Sequence, residues 1–162
     1  MAITSNLYDI VKVFESQWIV QPCLSDDPNG FLFGWANEVN DVHKKDIPFM
    51  VVQPPTTSSS LQNLEHEIVK QNLAFKLQIY AFHPSTYDFK MGSSIQLASL
   101  WDKMEDCFYQ WLQNCLNFMG SDVVLGDGSL NITRTKMAGN DSMFMIECSF
   151  NLSNFRHCFY LN

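Results

Sequence analysis

Apolar residues follow two periods along this chain, and the change from one to the other marks its elements. Between residues 94 and 118 they fall at Leu97, Leu100, Trp101, Met104, Phe108, Trp111, Leu112 and Cys115. Steps of three and four place these side chains on one face of an α-helix. Asp102, Lys103, Glu105, Asp106, Gln110 and Gln113 take the other face. Ser93 or Ser94 supplies a capping oxygen. Gly120 stands where a left-handed helix stop costs least. A stripe with two tryptophans and a phenylalanine needs a large apolar partner, and the flanking segments offer a sheet.

A first helix is expected over Thr4–Trp18, with Leu7, Ile10, Val11, Phe14 and Trp18 as its stripe and Thr4 or Ser5 as its cap. Pro22 bars its continuation, and Asp26-Asp27-Pro28-Asn29-Gly30 is a strong turn signal. A short strand follows at Phe31–Ala36, where Gly34 suggests a bulge or close approach of another backbone. Ile47–Gln53 is almost continuously apolar, the pattern of a strand covered on both faces. Pro48 belongs at its start or on an edge. Pro54–Ser60 reads as a projecting polar loop, and Leu61–Lys70 is consistent with a helical turn or a strand. Asn72–Phe82 alternates most clearly: Leu73, Phe75, Leu77, Ile79 and Ala81 form the face expected to meet the long helix.

After that helix, Val123–Leu125, Ser129–Met137 and Ser142–Leu152 are separated by Gly126-Asp127-Gly128 and Ala138-Gly139-Asn140-Asp141. Two glycine-containing turns predict a three-stranded meander. A plain Gly139-Asn140 turn would set Ile132 opposite Glu147 and bring a carboxylate to the core. A one-residue bulge near Gly139 restores apolar pairing. Ser153–Asn162 is an aromatic tail. It reads as an extension of the last strand over the core or as an arm that docks on a neighbour.

Composition narrows the function. A chain of 162 residues is long enough for one domain with a substantial core. We place that domain at residues 1–152 and the tail at 153–162. Seventeen acidic against ten basic residues give a net charge of −7, which argues against a dedicated nucleic-acid binder. No stretch approaches the ~20 apolar residues that span a bilayer. Five cysteines without close pairing point to a soluble chain in a reducing setting rather than to a disulfide framework.

Candidate chemistry is sparse. His43, His66, His83 and His157 show no zinc-ligand spacing with the cysteines. Gly126-Asp127-Gly128 precedes no helix and is not a phosphate loop. Glu65-His66-Glu67 cannot converge on a strand, because His66 faces away from both acids. Neither a catalytic residue, a metal site nor a cofactor site is expected, and the chain reads as a non-enzyme. A small enzyme using one cysteine is kept as an alternative.

The order helix, short strand, strand, polar loop, long strand, helix and closing strands resembles the tail terminator and neck ring proteins of tailed bacteriophages. The resemblance is carried by Asp46-Ile47-Pro48-Phe49-Met50-Val51-Val52, by Phe75-Lys76-Leu77-Gln78-Ile79-Tyr80-Ala81-Phe82 with His83-Pro84, and by the helix from Ser94. The closing pair Leu130-Asn131-Ile132-Thr133 and Met145-Ile146-Glu147-Cys148-Ser149-Phe150 completes it. It implies an α+β fold with a mainly antiparallel sheet of about five to six strands, packed by the long helix and an N-terminal helix. It also implies a virion structural protein, a homomeric ring of about six or twelve copies at the head–tail junction. Such a subunit is assembled in the host bacterial cytoplasm and contacts portal, adaptor or tail ring proteins. Genomic DNA passes through its channel without specific binding, and no membrane is involved. A cytosolic assembly factor of the same fold is the alternative. The contact residues expected on this reading are Pro54, Pro55, Glu65, Glu67, Asp102, Glu105, Phe155, Arg156, Phe159 and Tyr160.

Overall fold

The computed structural model describes residues 6–23, 29–35, 48–63, 68–82, 93–126, 130–136 and 143–157. Two long antiparallel strands form its centre: β4 (Ile68–Phe82) and β7 (Met143–His157), 15 residues each and paired along their whole length. Before them in the chain come α1 (Leu7–Ile19), β1 (Gly30–Phe33), β2 (Phe49–Val52) and β3 (Thr56–Asn63). Between them lie α2 (Ser93–Met119), a 3-10 turn (Gly120–Asp122), β5 (Val123–Leu125) and β6 (Asn131–Lys136). The result is an α+β protein with a seven-stranded mixed sheet, antiparallel except where β1 runs parallel to β2. This is more strands than the five or six expected, because β3 was read as loop.

On one edge of β4, β2 and β3 run in the same direction. They are one strand path interrupted at Gln53-Pro54-Pro55. Proline has no N–H for the ladder, and the register moves by one residue: Val52 faces Leu77, and Thr56 faces Ala74. The projecting-loop expectation for Pro54–Ser60 is therefore corrected to a break at the two prolines followed by a strand. Its Thr and Ser side chains fooled a hydrophobicity reading, because Thr56, Thr57, Ser58 and Ser59 are exposed and need no apolar character.

The outer edge of β7 repeats the pattern. β5 pairs with Asn154–Leu152 and β6 with Ser149–Phe144, again in one direction. The meander is therefore corrected: Gly126-Asp127-Gly128 does not reverse the chain as a hairpin would. Had the β5 register continued, Asn131 would face Ile146; it faces Ser149 instead. The register along this single edge path thus shifts by three residues between β5 and β6. The β6–β7 register sets Ile132 against Cys148, the apolar pairing expected. The predicted bulge near Gly139 lies outside the described residues.

Both helices cover one face of the sheet. Leu73, Phe75, Leu77, Ile79 and Ala81 of β4 join Ile146, Cys148, Phe150 and Leu152 of β7 under Met104, Phe108, Trp111 and Cys115 of α2. Phe14 of α1 sits edge-on to Phe75 at 5.2 Å and to Trp111 at 4.9 Å between ring centres. Trp111 donates its Nε1–H to the Phe14 carbonyl at 3.0 Å, so the largest core side chain also has its polar atom paired. Val51 and Phe49 of β2 and Tyr80 form a second, smaller cluster on the opposite face. The strand is thus covered on both sides, as its unbroken apolar run implied.

The helix ends are held by side chains. Asn6, not Thr4 or Ser5, caps α1 and accepts from the Asp9 N–H at 2.9 Å. At the other end, Asn29 is buried and donates through Nδ2 to the Trp18 and Gln21 carbonyls at 2.8 and 2.6 Å. The Trp18 carbonyl also accepts the Gln21 backbone N–H at 3.1 Å, so Asn29 adds a second donor at the helix end. Trp18 in turn donates to the Gly30 carbonyl at 2.8 Å, which ties α1 to β1. Gly120 has φ +74°, the left-handed stop expected after α2. Gly34 is buried and donates to the Val52 carbonyl at 2.9 Å, an ordinary ladder bond that continues the β1–β2 pairing.

Cys23 and Cys107 form a disulfide with Cα atoms 5.5 Å apart and 84 positions apart in sequence. The reading of the cysteines as unpaired thiols is overturned at this pair. The fold turns the loop after α1 onto the middle of α2, and sequence spacing carries no trace of that contact. Closing a loop this long stabilises by about 4.5 kcal/mol in the chain-entropy description. Replacing both cysteines by serine is expected to lower the stability by a few kcal/mol of that order. Urea denaturation checks it: a reducing agent should shift the wild-type midpoint and leave the double variant unmoved.

Candidate functional surfaces

The outer side of α1 carries more apolar residues than its core stripe needs. Ile10, Val13, Phe14 and Trp18 point into the core, while Leu7 and Val11 lie at its margin, half-buried. Tyr8 is 72% exposed, and Ile19 is exposed beside it. With Phe33 of β1 they line a groove of about 670 Å³, rimmed by Lys12, Glu15 and Ser16. β1 is the last strand on this side of the sheet. The contact expectations passed over this groove. Its signal was present in Tyr8 and Ile19, apolar residues off the helical stripe.

The sheet face away from the helices carries a polar row. Glu147 accepts from Gln78 Nε2 through one oxygen at 3.2 Å, and its other oxygen lies 3.2 Å from Lys76 Nζ. Gln78 is almost fully buried, and its Oε1 has no partner among the described residues. Tyr80, beside it on β4, is buried. Burial first, and the Glu147 charge second, raise its pKa above the ordinary value of 10.0.

Those of the expected contact residues that are described lie on different elements. Pro54 and Pro55 are partly buried at the β2–β3 break. Asp102 is exposed on α2. Glu105 is not free for a neighbour: it pairs with Arg134 of β6, whose guanidinium donates to its Oε1. That hydrogen bond and the Glu105 charge raise the Arg134 pKa, with a smaller contribution from Asp102. This pair links α2 to the β6 edge. Phe155 and Arg156 belong to β7, facing Lys70 and Val69 of β4. The backbone of the tail's first half therefore extends the last strand. Glu65, Glu67, Phe159 and Tyr160 lie outside the described residues.

The remaining cysteines of the core are poor nucleophiles. Cys115 and Cys148 are fully buried, and burial pushes both thiols well above their usual range, so they stay protonated. Among the described residues, no group of His, Cys, Asp and Glu is arranged to hold a metal ion. Nor is any described helix long and apolar enough to cross a membrane.

Fold and surfaces together define an α+β protein with a helix-backed open sheet, whose prominent exposed features are an apolar edge groove and unpaired strand edges among the described residues. The chain matches no protein-family model and no curated protein sequence.

Glu147→Gln should lower the Tyr80 titration midpoint part of the way towards 10.0, since burial remains. Ultraviolet titration against a Tyr80→Phe control measures it. The folded state holds the Tyr80 proton more tightly than the unfolded chain does. Its contribution to stability is therefore intact below the ordinary value and lost as pH rises through the folded one.

Proposed function

We propose that this chain is a structural subunit of a tailed-phage particle, a neck or tail-terminator ring protein that acts through contacts with copies of itself and with the rings above and below. The observation that carries this reading is the pair of outer strand paths, β1 on one side and β5–β6 on the other, which pair with no further strand among the described residues. Open edges at opposite ends of a rigid sheet suit head-to-tail association, and head-to-tail contacts close into rings when the rotation permits. The apolar groove beside β1 adds a surface that a lone subunit leaves wet.

The resemblance in element order supports the same reading. So does the net charge of −7, which would disfavour adhesion of DNA phosphates to a channel wall. The Cys23–Cys107 bond favours a component of the finished particle over an assembly factor confined to the cytoplasm, because particles work outside the reducing cell. On this reading the subunit joins portal or adaptor to the tail and lines the channel.

Electron microscopy of the concentrated protein should show closed rings of about six or twelve copies. Mass spectrometry of purified particles should find the chain. Its absence from particles, with only monomers at all concentrations, would overturn the proposal.

A further inference from the structure

We infer that the groove between α1 and β1 receives the aromatic segment Cys158–Asn162 of a second copy of this chain. The inference rests on the reading of this protein as a self-assembling subunit. It begins from two features: an apolar groove among the described residues and an apolar segment that lies outside them. The groove presents Leu7, Val11 and Phe33 half-buried and Tyr8 and Ile19 exposed, beside an edge strand. The sequence after His157 is Cys-Phe-Tyr-Leu-Asn, rich in side chains that water does not favour.

Strand register shows why the donor must be another copy. β7 reaches His157 opposite Ile68, at one extreme of β4. Phe33 faces Val52, which faces Leu77. From Ile68 to Leu77 is a run of nine strand steps, or about 30 Å at ~3.4 Å each. The crossing from β7 through β4 and β2 to β1 adds about 14 Å sideways at ~4.8 Å per strand. Leu161 stands four residues past His157 and extends at most about 14 Å from it. The segment therefore cannot reach Phe33 of its own chain.

The chemistry of the two sides matches. In an extended segment Phe159 and Leu161 point to one side and Tyr160 to the other. Seated along the outer edge of β1, the segment would direct Phe159 and Leu161 into the groove. The backbone amides of Phe31 and Phe33 alternate with those of Gly30 and Gly34, which bond towards β2. They are thus directed outward and can pair with an added strand.

The test uses a fluorescent peptide of residues 153–162 with Cys158→Ser. The receptor is the full chain carrying Phe159→Ser and Leu161→Ser, so that its groove is not already occupied by a neighbour. Anisotropy should report binding, weakened at least about tenfold by Val11→Asp in the receptor or by the same two serines in the peptide. Tyr8→Ser, at an exposed position, gives a second receptor variant that keeps the fold, verified by thermal melting. Sedimentation of the otherwise wild-type chain runs in parallel. No peptide binding, or binding that ignores both receptor variants, overturns the inference. Self-association that survives Phe159→Ser with Leu161→Ser overturns it too, while leaving the subunit reading intact. Groove-dependent peptide binding by a wild-type chain that stays monomeric at high concentration overturns the inference, because no second copy is then held, and counts against the ring as well.

Discussion

The register between β4 and β7 is the constraint on which the rest depends. Every second pair along it is apolar: Leu73 with Leu152, Phe75 with Phe150, Leu77 with Cys148, Ile79 with Ile146. A slip of β7 by one residue would turn Ile146, Cys148, Phe150 and Leu152 to the other face and bring Glu147 under the helices. The stacked Phe75 and Phe150 rings, 5.7 Å apart, mark the middle of the column, and Phe14 and Trp111 descend on them from the two helices. Packing of α1 and α2 follows from that column rather than preceding it.

The two edge paths show how a long central pair accepts shorter neighbours. Each begins in register, breaks at residues that cannot continue a ladder, and resumes with a shift. Pro54-Pro55 breaks the first by removing N–H donors. In the second, the Gly126 N–H still bonds to the Asn151 carbonyl at 2.9 Å, and the register has shifted by three where β6 begins. Such breaks blunt long edges that would otherwise recruit other chains without selection. What remains available is short: the β1 edge with its apolar groove on one side and the interrupted β5–β6 path on the other.

Around the helix ends, polar groups do what the apolar core cannot. Gln21 is buried and donates to Gln110 of α2 at 2.8 Å, while Asn114 donates to its Oε1 at 3.2 Å. Asn29 closes the end of α1, and the Cys23–Cys107 bond lies beside this cluster. The loop after α1 is thus tied to α2 by both hydrogen bonds and a covalent link. That makes the α1–β1 unit a rigid platform for the groove it carries.

The sequence by itself determined both helices, the apolar faces of β2, β4 and β7, the stop at Gly120 and an apolar partner for Ile132, which the structure shows to be Cys148. Each depends on local period or on the rule that a carboxylate does not face a core. The tertiary structure alone decided the rest. Thr56–Asn63 is a strand because β4 offers it a ladder, not because its own side chains demand burial. β5 and β6 share one edge instead of forming a hairpin, because β7 runs on past β6 to pair with β5. Cys23 meets Cys107, and Glu105 meets Arg134, through contacts between segments far apart in the chain, which no periodicity encodes. The groove follows the same logic: Tyr8 and Ile19 were visible as apolar residues out of place, but only the position of β1 turned them into a surface.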